Sequence, residues 1–154
     1  MDGLWWVVPA VVAAVGLLIF AWRPLRAWGR EVQVERAREA FRLQRERLEA
    51  KFFDAAAGSG RPKGLRWVGC DFEAELELAR DRQTGLLLGL VPVTIRFEAI
   101  EGGDMEGVAA VGNLRAATAV FAFERGHWTT AGKAVFNMTP AEAIRHFGGQ
   151  YDKV

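Results

Sequence analysis

From Leu4 to Trp22 the chain runs for 19 residues without a charged side chain, Leu-Trp-Trp-Val-Val-Pro-Ala-Val-Val-Ala-Ala-Val-Gly-Leu-Leu-Ile-Phe-Ala-Trp. As a helix this stretch is about 28 Å long, close to a bilayer core of about 30 Å. Such a segment dictates where everything after it sits. Trp5 and Trp6 stand at its start, and Phe20, Trp22 and Trp28 at its end. Indole rings favour the headgroup zone, so they form two interfacial belts. No Lys or Arg precedes the stretch, whereas Arg23, Arg26 and Arg30 follow it. The excess of positive charge on one side predicts an outside N-terminus and a cytoplasmic remainder, with the three arginines against anionic lipid. The expectation is a single-pass membrane protein with residues 1–29 as anchor and basic flank.

Two other origins for the stretch fit less well. A cleaved signal peptide needs a basic leader, which is missing before Leu4, and a small-residue cleavage site, for which Phe20-Ala21-Trp22-Arg23-Pro24 is poor. A buried core helix is disfavoured by a run this long, with no polar face, at the very N-terminus. Pro9 kinks the span mildly, Gly16 has no small partner four residues away, and Pro24 breaks or bends the helix.

Residues 30–57 change to a helical pattern. Val34, Ala37, Phe41, Leu48, Phe52 and Ala55 fall on one stripe, and the opposite face carries Arg and Glu at pairing distance, as in Glu39–Arg42 and Arg45–Glu49. The stripe suits a coiled coil that joins two copies, or one helix laid on its own sheet. It covers only about three heptads and Gln44 interrupts the seam, which favours the sheet.

Residues 58–154 carry the sheet. Gly58 to Gly64 is a turn. Phe72, Ala74, Leu76 and Leu78 alternate with Glu73, Glu75 and Glu77, the pattern of a strand with one wet face. Asp81 to Gly85 turns the chain into a second, bent strand from Leu86 to Ile100, with Gly89 and Pro92 as bulge or edge residues. A connection reaches about Asn113. Ala116 to Glu124 and His127 to Asn137 make two further strands around a turn at Arg125-Gly126. Thr139-Pro140-Ala141-Glu142 is a capping box that opens a short helix to Phe147, stopped by Gly148-Gly149.

The predicted fold is therefore α+β: an N-terminal transmembrane helix, a long amphipathic helix, a four-stranded antiparallel sheet and a short C-terminal helix. This order of elements is similar to the cystatin-like and NTF2-like architectures, which host enzymes, ligand binders and interaction modules alike. The phrases Gly64 to Trp67, Val111 to Phe121 and Trp128 to Asn137 resemble those of small bacterial membrane-anchored proteins of unassigned function. That resemblance brings no activity and no site residues.

Few residues suggest chemistry. With 20 basic and 19 acidic residues the charge is balanced, so no basic excess points to nucleic acid. The single cysteine, Cys70, excludes an internal disulfide and suits a reducing compartment. Cys70 with His127 could make a nucleophile and base, but neither lies in a catalytic motif. His127 and His146 lack metal-site spacing, and the loop of Glu101, Asp104 and Glu106 lacks an EF-hand pattern. No catalytic, cofactor or metal residue is assigned. Asn137-Met138-Thr139 has the form of a glycosylation acceptor, but Pro140 and the expected orientation oppose that role. The most conspicuous polar row is Glu73, Glu75 and Glu77, a candidate face for a basic partner or for Arg96 across the sheet.

Two functions follow as expectations. In the first, the domain is a binding or scaffold module at the membrane surface, with a lipid bilayer, a protein partner or a second copy as its contacts. In the second, an NTF2-like pocket lies between helix and sheet, lined by Phe41, Trp67, Phe97, Phe121 and Trp128.

Overall fold

The computed structural model describes residues 7–60 and 62–154, without the side chains of residues 19 and 21–28. It begins with a helix, α1 (Val7–Gly58). Seven strands follow: β1 (Leu65–Phe72), β2 (Glu77–Asp81), β3 (Leu87–Ala99), β4 (Arg115–Glu124), β5 (His127–Thr129), β6 (Ala134–Phe136) and β7 (Tyr151–Lys153). A 3-10 turn (Ala109–Gly112) precedes β4, and a second α-helix, α2 (Pro140–His146), precedes β7. The chain divides into two compact units, Met1–Arg36 and Ala37–Val154.

The first unit is helical in its described part, and its large apolar side chains from Val7 to Leu18, and Phe20, are about half to three-quarters exposed. Among the described residues no helix is long and apolar enough to cross a membrane. This overturns the expected transmembrane helix, and with it the single-pass membrane localisation and the topology derived from it. Leu4, Trp5 and Trp6 lie outside the described residues, as do the side chains of Trp22, Arg23 and Arg26. Phe20 and Arg30 are exposed. The helix also continues through Pro24, where a break or a bend was expected, and so is not broken there. Proline costs an interior helix one hydrogen bond, and the turns on either side keep theirs.

In the second unit, α1 from Ala37 onward lies on one face of the sheet. Ala37, Phe41, Leu48, Phe52 and Ala56 are at most 2% exposed. The Phe41 ring meets Phe121 and Trp128 edge to face at 5.2 Å, and Phe52 meets Phe72 at 5.6 Å. The coiled-coil expectation is corrected by this packing, because the sheet already occupies the apolar seam.

The sheet is antiparallel, and β3 is its central strand. It pairs with β4 along one side, and with β2 and then β1 along the other. Residues Leu87 to Val91 are buried on both faces, because α1 covers one and α2 the other. Ala79, Leu88, Leu90, Ala143, Ile144 and Tyr151 form the α2 side of the core.

Seven strands stand where four were expected, for reasons that the register makes plain. The expected first strand, Phe72 to Leu78, falls mostly in a break between β1, which was not expected, and β2, opposite Pro92, which has no N–H to give the ladder. Its carbonyl still accepts from the Glu73 amide at 3.0 Å. The carbonyls freed at Glu73 and Ala74 are taken by Arg45 of α1, whose Nη1 donates to Ala74 O at 3.0 Å. The expected last strand splits into β5 and β6 where Gly132 meets α1. Beyond α2, three residues add β7 to β2. The turns follow local chemistry. Asp81 Oδ1 accepts from the Gln83 and Thr84 amides, and Arg125 and Gly126 both take positive φ in a tight hairpin turn. The capping box of Thr139 and Glu142 is present.

The β2–β7 end is held by carboxylates. Arg82 Nε donates to Asp152 Oδ1 at 2.8 Å, and Lys153 meets Glu77 at 2.9 Å. The hydrogen bond from Arg82 holds the Asp152 carboxyl below its ordinary range. Asp81 is also lowered: burial opposes ionisation, but hydrogen bonds from Gln83, Thr84 and Gln150 together outweigh it. A depressed folded pKa gives stability that is complete above the unfolded value, about 4, and is lost as pH falls through the folded value. Acidification from pH 5 towards 3 is therefore expected to release β7 first. Amide exchange at Arg82, which donates to Gln150 O, should lose protection before Ala119 in β4. Simultaneous loss at both would refute this order.

Candidate functional site

The five aromatics expected to line a pocket instead fill the core. Phe121, Phe41, Trp128, Phe97 and Trp67 are between 0% and 8% exposed. Trp67 stacks edge to face on Phe97 at 5.0 Å, and the Trp128 Nε1–H donates to Ala37 O at 2.8 Å. The strand spacing opens no room beside them, because Gly89 lies against the Trp128 ring.

Cys70 and His127 do not meet. Cys70 lies on β1 and His127 on β5, with β3 and β4 between them. Three strand spacings make about 14 Å, beyond any proton transfer. His127 is exposed, and its Nδ1 is 3.0 Å from Arg125 O. Burial pushes the Cys70 thiol from the ordinary 9.0 up to about 11; Asp71 adds to this and Arg96 opposes it. Its thiolate fraction at neutral pH is then about a hundredfold below that of an ordinary thiol. Iodoacetamide is expected to modify Cys70 about a hundredfold more slowly in the folded chain than in urea, with a rate that climbs with pH towards 11. A plateau below pH 9 would contradict this.

The acidic loop closes on itself, as the Gly102 amide donates to Glu106 Oε2 at 2.8 Å. Among the described residues no group of three or more His, Cys, Asp or Glu is placed to hold a metal ion. His146 lies on α2, edge to face with Phe147 at 4.9 Å.

The glutamate row does not form a continuous strand face. Glu73 and Glu75 are exposed in the break between β1 and β2, and Glu77 faces Lys153 from β2. Arg96 lies elsewhere, across Gly69, with Asp71 at 3.6 Å.

An open groove lies beside that break, and sequence reasoning missed it. It has a volume of about 440 Å³ and runs between α1 and β1. From α1 come Glu46, Glu49, Ala50, Phe53 and Asp54, which share one helix face at spacings of three and four. From β1 come Val68, Gly69, Cys70 and Phe72. Phe53 and Phe72 are half-buried and Val68 is 46% exposed, so the groove has apolar surface under an acidic rim. Glu49 is engaged by Arg45 at 2.7 Å. β1 pairs with β3 on one side only, so among the described residues its other edge, from Gly69 to Phe72, has no strand beside it. The signal was present in sequence as the acidic positions 46, 49 and 54, but it merges there with a solvated helix face.

No family model, no curated protein and no solved structure matches the chain.

Proposed function

We propose that the chain is a binding module that acts by protein contact, with residues 37–154 as the docking domain. One observation carries this reading: the space between helix and sheet is filled by packed aromatics, while an open apolar groove with an acidic rim lies beside an unpaired strand edge. An exposed strand edge with adjacent apolar surface is the kind of feature that protein partners engage.

A photo-crosslinking side chain placed at Val68, in the cells that make the protein, tests the proposal. Discrete protein adducts are expected there, and none from the same probe at Gln83, an exposed turn residue outside the groove. Equal adduct patterns at the two positions, or none at Val68, would overturn it.

A further inference from the structure

Resting on that reading, we propose that the groove takes a short extended peptide segment, with both basic and apolar side chains on the face it turns to α1, which adds as a strand to the free edge of β1.

The edge is bounded at both ends. The register against β3 slips between Trp67 and Gly69, leaving Val68 as a bulge. Such bulges blunt an edge against continuous pairing. The break at Glu73 ends the strand on the other side. Between them, Gly69 to Phe72 keeps regular register with Arg96 to Val93. That strip is about 13 Å long, enough for a few ladder bonds and no more. Its Gly69, Cys70 and Phe72 line the groove together with Val68.

Charge selects the occupant. Glu46 and Asp54 are exposed on the helical wall, and Glu73 and Glu75 are exposed where the strip ends. Arg96, the cation paired opposite Gly69, is engaged with Asp71, and strand alternation puts it on the face away from α1. A strand entering the groove therefore meets carboxylates on the α1 side. Alternation in the partner turns one set of its side chains towards α1, where apolar ones meet Phe53 and Phe72 and basic ones reach Glu46 and Asp54, and turns the other set away. A second copy of this chain suits the edge poorly. Pairing β1 with itself about a two-fold axis would bring the two acidic rims together.

The test uses the full chain and a fluorescent peptide of about eight residues, Thr alternating with Lys or Val so that one face carries both Lys and Val, read by anisotropy. Binding is expected to weaken about tenfold or more for the Glu/Val counterpart, and similarly when Glu46→Lys and Asp54→Lys are combined, both at exposed helix positions. Methylating the peptide's ladder-facing backbone nitrogens should abolish binding, since strand addition needs their N–H groups. Undiminished binding of the methylated peptide would reduce the effect to charge attraction and overturn the proposal. Sedimentation showing a dimer that the peptide dissociates would assign the edge to a second copy, with the same consequence. Adducts at Val68 without peptide binding would overturn strand addition and leave the docking module standing. Absence of both would overturn both.

Discussion

Gly132→Ala is expected to destabilise the second unit by about 3 to 5 kcal/mol, among the largest effects of any single methyl group in this chain. Two costs add. Gly132 has φ +70°, where an L side chain is strained by about 1 kcal/mol or more. A Cβ there would also stand 2.7 Å from Ala55 C and Ala56 Cα, and closer still to Ala56 N. These are backbone atoms inside α1, so no rotamer change relieves the clash. Either the loop between β5 and β6 lifts, or α1 moves off the sheet and loosens Phe52 below it. Gly126→Ala separates the two costs. Gly126 has φ +83° with open space around it, so it carries the strain alone, about 1 kcal/mol. Urea unfolding of both variants decides the matter. Equal midpoints would mean that the loop does not rest on the helix.

That contact also explains what the sequence concealed. The apolar stripe Ala37, Phe41, Leu48 and Phe52 was legible because helical period and burial coincide on one face. Past Phe52 the stripe had Ala55, whereas the residue at 0% exposure is Ala56, four positions on. The turns at Asp81–Gly85 and Arg125–Gly126 and the capping box at Thr139 were legible because their chemistry is local. The strand breaks were not. The alternation of Glu73, Glu75 and Glu77 with apolar residues is a true period-two signal, overridden by Pro92 across the ladder and by Arg45 from 28 residues away in sequence. Gly132 likewise takes its meaning from Ala55 and Ala56. β7 is three residues long and cannot show a period. The groove stayed hidden because its two walls are separate elements, each ordinary alone. The uncharged run at the N-terminus suggested a membrane span by length and composition, and the described helix does not supply one.

Phe52→Ala should cost about 4 kcal/mol, lowering the melting temperature by about 15 °C for a unit of this size. Phe52 is at 0% exposure and is the point where α1, β1 and β4 meet. Its ring lies 5.6 Å from Phe72, 5.7 Å from Phe121 and 6.4 Å from Trp67. Removing it leaves a cavity walled by three rings. Their backbones are fixed by ladder pairing to β3, so collapse into the space is limited and the cavity cost is retained. Phe53→Ala, one residue along, distinguishes core from groove. Phe53 is half-buried on the groove wall, so its loss exposes no sealed cavity and should cost about 1 kcal/mol. If the groove docks a peptide, Phe53→Ala weakens binding while the fold holds, whereas Phe52→Ala weakens both because Phe72 loses its support. Equal losses of stability in the two variants would mean that the sheet does not seal against α1 at this point. The groove would then be a continuation of a loose core, and its wall could not present Glu46 and Asp54 at fixed positions to a partner.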